Sequence, residues 1–200
     1  MQCFPPQTEI LSLTNGESAT LPFSDAEYER RLAALRNIMV AHELDAVLLT
    51  SMHNIAYYSG FLHCSFGRSY ACLVTWTACT TVSANIDGGQ PGRRSFADNL
   101  IYTDWQRDNY WRALQSLLPM RGCIGYEADQ LSKTACRKAW AELPHNRWSD
   151  ISDLVMRRRM VKSAEEIALI RAGAAIADRG GKTVYDAVRP EQREMDIAMA

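Results

Sequence analysis

The most suggestive chemistry in this sequence lies in His63-Cys64-Ser65-Phe66-Gly67-Arg68. A guanidinium grips a carboxylate through two parallel hydrogen bonds. An aromatic face packs against a planar or cationic group. Gly67 gives the backbone freedom between the ring and the guanidinium. On residue types alone a blander account is favoured, in which Phe66 is a structural ring and Arg68 a surface ion pair. Cys64 stands between His63 and Ser65, but neighbours in sequence do not make a thiolate–imidazole pair, and a small buried thiol is the simpler reading.

Other candidates carry less. His42, His53, His63 and His145 show none of the spacings of a zinc motif such as H-E-x-x-H, so no metal ligand is assigned and only long-range assembly leaves one open. His53 and His63 read as structural hydrogen-bonding residues. Asp87-Gly88-Gly89-Gln90 follows an expected strand and invites a phosphate-loop reading, with Arg93-Arg94 nearby to meet an anion. It lacks both G-x-G-x-x-G and the Gly-Lys-Ser/Thr ending, which favours a surface loop with solvated arginines. Arg157-Arg158-Arg159 and Lys162 form the most basic run, with Glu165-Glu166 a turn away. On helices such charges pair at i, i+3 or i, i+4 and face water. There is no Gly-x-Ser-x-Gly elbow to support a serine hydrolase of that type.

Composition sets the frame. The chain has 200 residues, 47% hydrophobic and 22% charged, with 22 Lys plus Arg against 23 Asp plus Glu. That is a globular balance, long enough for one well-cored domain with a little left over. A net charge of −1 argues against a nucleic-acid binder and against charge-driven membrane binding. No apolar run approaches the roughly 20 residues that span a bilayer, and the N-terminus does not read as a signal peptide. The 6 cysteines include no C-x-x-C pair, and reduced thiols in a cytoplasmic protein are the better reading.

The elements that would position these residues alternate. Residues 1–22 read as an irregular lead-in. Ser24 and Glu27 form a capping box, with Phe23 and Tyr28 at the staple positions. Tyr28, Leu32, Leu35 and Met39 give one apolar stripe, which predicts a helix over residues 24–42. Residues 45–50 read as a central strand, buried on both faces. A short helix over 53–59 ends at Gly60, and strands near 70–76 and 79–84 form a hairpin. Residues 87–92 read as a loop, 100–103 as a strand and 107–118 as a helix. A strand over 122–126, a helix near 131–143 and a strand near 147–151 follow. The class is α/β around one mixed sheet. From Asp153 the chain turns helical and charged. Ser163 and Glu166 form a second capping box that opens a helix through about residue 188. Pro190 breaks it, and the apolar pattern over 194–200 stops without a cap, as expected of a piece of a longer protein.

Several stretches then resemble a known family in order along the chain. Thr50-Ser51, His53-Asn54-Ile55, Tyr57-Tyr58-Ser59, Phe61-Leu62 and Cys64-Ser65-Phe66-Gly67-Arg68 resemble the creatinases, or creatine amidinohydrolases. So do Ser83-Ala84-Asn85-Ile86-Asp87-Gly88-Gly89-Gln90-Pro91 and Tyr102-Thr103-Asp104-Trp105-Gln106-Arg107-Asp108-Asn109. Lys162-Ser163-Ala164-Glu165-Glu166 is similar to the segment joining that family's two domains. The wider family includes proline-specific aminopeptidases and prolidases. The resemblance implies a creatinase-like N-terminal domain over residues 1–160, a mixed β-sheet flanked by helices. It implies a linker helix and the truncated start of a C-terminal pita-bread catalytic domain over 161–200. It further implies hydrolysis of creatine to sarcosine and urea without a metal or other cofactor, in a homodimer whose N-terminal domain approaches the other subunit's active site. Arg68 would clamp the substrate carboxylate and Phe66 would wall the pocket. The family's catalytic histidine and guanidinium-binding glutamates belong to the C-terminal domain. No residue here is assigned as catalytic, and the 200-residue chain alone is expected to be inactive.

Two other functions stay open at this point. One is the N-terminal domain of a metal-dependent X-Pro aminopeptidase or prolidase. The other is a stand-alone, non-catalytic interaction domain. The Ser65-Phe66-Gly67-Arg68 stretch leans toward the creatinases.

Overall fold

The computed structural model describes residues 10–11, 17–62, 67–103 and 109–199. The chain divides into two compact units between Met160 and Val161.

In the first unit, helix α1 (Asp25–Ala41) begins where Ser24 Oγ accepts the Glu27 N–H at 3.2 Å. Phe23 packs edge-on against Tyr28 with ring centroids 6.0 Å apart, completing the staple. Tyr28, Leu32, Leu35 and Met39 are all buried, so the stripe read from sequence is the core face. Strand β1 (Ile10–Leu11) lies within the lead-in, and β2 (Ala46–Leu49) follows the helix. Every residue of β2 is buried. Helix α2 (Met52–Ser59) follows and ends at Gly60, whose φ of 81° is left-handed. A Cβ at Gly60 would also lie 2.9 Å from the Tyr28 hydroxyl oxygen, so glycine is required there on two counts.

Strands β3 (Ala71–Thr75) and β4 (Cys79–Ala84) form the expected hairpin. Its turn is closed by a Thr75 N–H to Ala78 carbonyl bond of 2.9 Å and an Ala78 N–H to Thr75 Oγ1 bond of 3.1 Å. A 3-10 turn (Asn85–Asp87) and the short helix α3 (Gln90–Arg93) occupy the segment read as a loop, with Pro91 in the first turn of α3. Then come β5 (Asp98–Tyr102), α4 (Asn109–Leu117), β6 (Gly122–Tyr126), α5 (Lys133–Glu142), β7 (Asn146–Asp150) and α6 (Ser152–Met160).

The described strands form one mixed sheet in the order β1-β5-β4-β3-β2-β6-β7. β3 is antiparallel to both neighbours, whereas β4 and β5, β2 and β6, and β6 and β7 pair in parallel. It follows that β2, β4, β5, β6 and β7 all point their carboxyl ends at the same edge of the sheet. Ligands of open α/β sheets gather at such an edge. The difference from the sequence reading is β1, which pairs antiparallel with β5 inside a stretch read as irregular. Two residues carry no periodicity to read.

Asp150 holds the turn from β7 into α6. Its Oδ1 accepts the Ser152 N–H at 2.9 Å, the Ser152 hydroxyl at 2.5 Å and the Ala128 N–H at 3.3 Å. These bonds, the Ser152 hydroxyl's above all, hold its carboxyl below the usual carboxylate range. A depressed folded-state pKa means the contribution is full above the unfolded value near 3.9 and is lost as pH falls through the lower folded value. The group is exposed and screened, so the effect is small. Urea midpoints compared between pH 5 and pH 3 should drop less for Asp150→Asn than for the parent. Equal drops would show that this carboxylate does not contribute.

In the second unit, helix α7 (Ala164–Ala187) carries a complete capping box. Glu166 Oε2 accepts the Ser163 N–H at 2.7 Å, and Ser163 Oγ accepts the Glu166 N–H at 3.2 Å. A short helix α8 (Glu194–Ala198) follows. Ile167, Leu169, Ile170 and Ile176 on α7 are exposed. No described helix is long and apolar enough to cross a membrane.

Candidate functional site

A cleft of about 180 Å³ opens at the carboxyl ends of β2 and β6. Thr50 enters it directly from β2, and Arg68 and Tyr70 from the segment leading into β3. Tyr110 and Trp111 come from the first turn of α4, and Gln130 from the loop after β6. Asn109 Nδ2 donates to the Thr103 carbonyl at 2.8 Å and to Thr103 Oγ1 at 3.1 Å, tying α4 to the exit of β5. Among the described residues, Thr50 Oγ1 is buried without a hydrogen-bond partner. A bound polar ligand or a water satisfies a group of that kind.

The floor of the cleft is organised by Glu127, the residue after β6, which is only 2% exposed. One carboxylate oxygen accepts the Thr50 N–H at 2.5 Å and the Ser51 N–H at 2.9 Å. The other accepts the Ser51 hydroxyl at 2.6 Å and Asn54 Nδ2 at 2.5 Å. Ser51 is itself the N-cap of α2, accepting the Asn54 N–H at 3.1 Å. The carboxylate therefore sits against a helix N-terminus, where negative charge is stabilised. Asn54 Oδ1 in turn accepts Arg159 Nη1 at 3.2 Å, which ties α6 to the same network. Nothing in the local sequence marks Glu127. The only signal was a Ser-x-x-Asn start on α2 that leaves backbone donors seeking an acceptor from elsewhere.

The residues singled out by type and spacing fall in different places. Arg68 is exposed and lines the cleft. Phe66 lies outside the described residues, as do His63, Cys64 and Ser65. The three described histidines are exposed, His42 at the end of α1, His53 in the first turn of α2 and His145 before β7. Arg93 does not face an anion site. Its Nε donates to the Glu17 carbonyl at 2.8 Å, and its own carbonyl accepts the Ala19 N–H at 2.8 Å, so it holds the lead-in against α3. Asp87, read as part of a phosphate loop, accepts a hydrogen bond from the Tyr70 hydroxyl. Among the described residues no group of three His, Cys, Asp or Glu side chains is placed to hold a metal ion. A second cavity of about 240 Å³ lies at the opposite sheet edge, lined by Leu118, Pro119, Met120, Leu143 and His145.

Comparisons with known proteins agree with this architecture. The model of the Creatinase/Prolidase N-terminal domain matches residues 31–161. Creatinase from Bacillus sp. (strain B-0618) is 45% identical over 197 residues, which is 96% of this chain and 48% of that protein. Ectoine hydrolase from Halomonas elongata is 26% identical over 197 residues, 86% of this chain and 47% of that protein. The chain thus spans about half the length of the curated relatives it matches. Among solved structures, the Xaa-Pro dipeptidase from Bacillus anthracis superposes with a TM-score of 0.67 at 18% identity, over 86% of this chain and 47% of that one. A mixed sheet flanked by helices, a family model spanning most of the first unit and a creatinase relative matched along almost the whole chain lead to one assignment: this chain belongs to the creatinase/prolidase N-terminal domain family.

Proposed function

We propose that this chain is the N-terminal part of a creatinase-like amidinohydrolase, which converts creatine and water to sarcosine and urea. The observation that carries this reading is the identity to the Bacillus creatinase, sustained over nearly the whole chain. Arg68 is the substrate contact. Its exposed guanidinium on the rim of the cleft binds the carboxylate of a creatine-like molecule through paired, charge-assisted hydrogen bonds. Phe66 walls the same pocket, where an aromatic face suits the planar guanidinium of creatine. Attack of water on the guanidinium carbon needs a positioned base, and departure of the methylglycine nitrogen needs an acid. No residue of this chain takes either role. Residues 161–200 are the linker helix and the start of the domain that supplies them. The protein works as a cytoplasmic homodimer, with this domain serving its partner's centre.

The test is urea release from creatine by the full gene product without added metal, beside its Arg68→Ala variant and the 200-residue chain. The full product is expected to turn over, and the chain alone to be silent. Arg68→Ala should raise KM about 30-fold with kcat nearly unchanged, the usual worth of a charged hydrogen-bond pair lost from binding. A full product that is silent on creatine but cleaves X-Pro peptides with added metal overturns the proposal in favour of a prolidase-like peptidase.

A further inference from the structure

We propose that Tyr102 and Tyr110 are positioning residues for Arg68. Their hydroxyls grip the backbone just after it and fix the direction from which its guanidinium enters the cleft. This rests on the substrate role given to Arg68 above.

Pairing in β3 begins only at Ala71. No described strand pairs with residues 67–70, so hydrogen bonds from side chains can fix the course of their backbone. Two tyrosines supply them. Tyr102 Oη donates to the Ser69 carbonyl at 3.0 Å, and Tyr110 Oη donates to the Tyr70 carbonyl at 3.4 Å. The two rings brace each other edge-to-face with centroids 5.7 Å apart. They come from different elements, the end of β5 and the start of α4, so the segment is held from both sides. Tyr70 adds a third tether through its hydroxyl to Asp87 and its ring against Phe61 at 6.5 Å. Immediately before Arg68, Gly67 has a left-handed φ of 75°, which an L side chain rarely adopts. Burial raises the Tyr110 phenol well above its usual range, which keeps it a donor at any physiological pH.

A clamp of this kind acts on binding geometry. Tyr102→Phe and Tyr110→Phe in the full gene product keep both rings and remove one hydrogen bond each. Each is expected to raise KM for creatine about five-fold, with kcat within two-fold and a thermal midpoint lowered by no more than about 5 °C. In an Arg68→Ala background the same substitutions should change KM by less than two-fold, because nothing is left to position. Loss that persists undiminished in that background, or that appears as lowered stability with KM unmoved, assigns the hydroxyls a merely structural role and overturns the inference. If Arg68→Ala raises KM while neither tyrosine variant does, the substrate reading stands and the positioning role fails. If Arg68→Ala leaves KM unmoved, or the full product is inactive on creatine, both fall together.

Discussion

Glu127→Ala is expected to lower the unfolding free energy by about 4 kcal/mol, with a fall in thermal midpoint of roughly 8–16 °C. The carboxylate is the shared acceptor for two backbone N–H groups, a hydroxyl and a side-chain amide, all at 2.9 Å or less. Alanine leaves the buried donors of Ser51 and Asn54 without a partner, each costing about 1–3 kcal/mol. It also removes the negative charge from the start of α2. Glu127→Gln keeps the shape but turns an N–H₂ toward groups that are themselves donors, so about half the loss should remain. Denaturant unfolding followed by far-UV circular dichroism reads both values. A Glu127→Ala midpoint equal to the parent's would show that the network is replaceable by water. Because Thr50 lines the cleft, the same substitution should also loosen its floor.

The elements that the sequence made legible were those whose information is local. The Ser24 and Ser163 caps, the α1 stripe and the unbroken apolar run of β2 each depend on residues within one or two turns of one another. The hairpin was readable although its turn lacks Asn-Gly, because both strands are β-rich and the connection is short. Elements that escaped owe their form to distant partners. β1 exists only because β5 offers an unpaired edge. Residues 85–93 read as loop on their glycines, yet Pro91 sits early enough in α3 to favour a helical turn rather than prevent it.

The site divides along the same line. Arg68 stood out by residue type, though type alone favoured a surface ion pair, and only the family resemblance reversed that preference. The arginines at 93 and 159 looked like anion or solvent-facing charges. Both instead donate within the fold, to Glu17 and to Asn54. A sequence pattern counts charge but does not show which carbonyl or amide oxygen folding will bring within reach. Glu127 is the sharpest example, since its partners lie 73 to 77 residues away.

Arg31 belongs to the same class and carries the other large expected effect. It follows Tyr28 by one helical turn, on the buried face of α1, and it is only 1% exposed. Its guanidinium lies between two rings, 4.0 Å from the Phe23 centroid and 4.1 Å from that of Tyr57. Nε donates to Glu27 Oε1 at 2.9 Å, and Nη1 donates to the Tyr57 carbonyl at 2.9 Å. Arg31→Ala therefore opens a gap between two aromatic faces, strips a donor from a half-buried carbonyl and removes one of the cations from a nearly buried carboxylate. The expected cost is about 3–5 kcal/mol. Arg30 tempers it, since it holds Glu27 with two bonds of 2.8 Å. Arg31→Lys should recover less than half, because an ammonium cannot lie flat between the rings while donating in both directions. Tyr57 belongs to α2, so the loss should appear first as faster amide exchange in α2 and as a lower urea midpoint. The charge and packing contributions separate in a double-mutant cycle with Glu27→Gln. If the ion pair dominates, the double variant should lose markedly less than the two single losses combined. If the losses simply add, Arg31 and Glu27 are not coupled, and the stacking of the guanidinium between Phe23 and Tyr57 is what anchors α1 to α2.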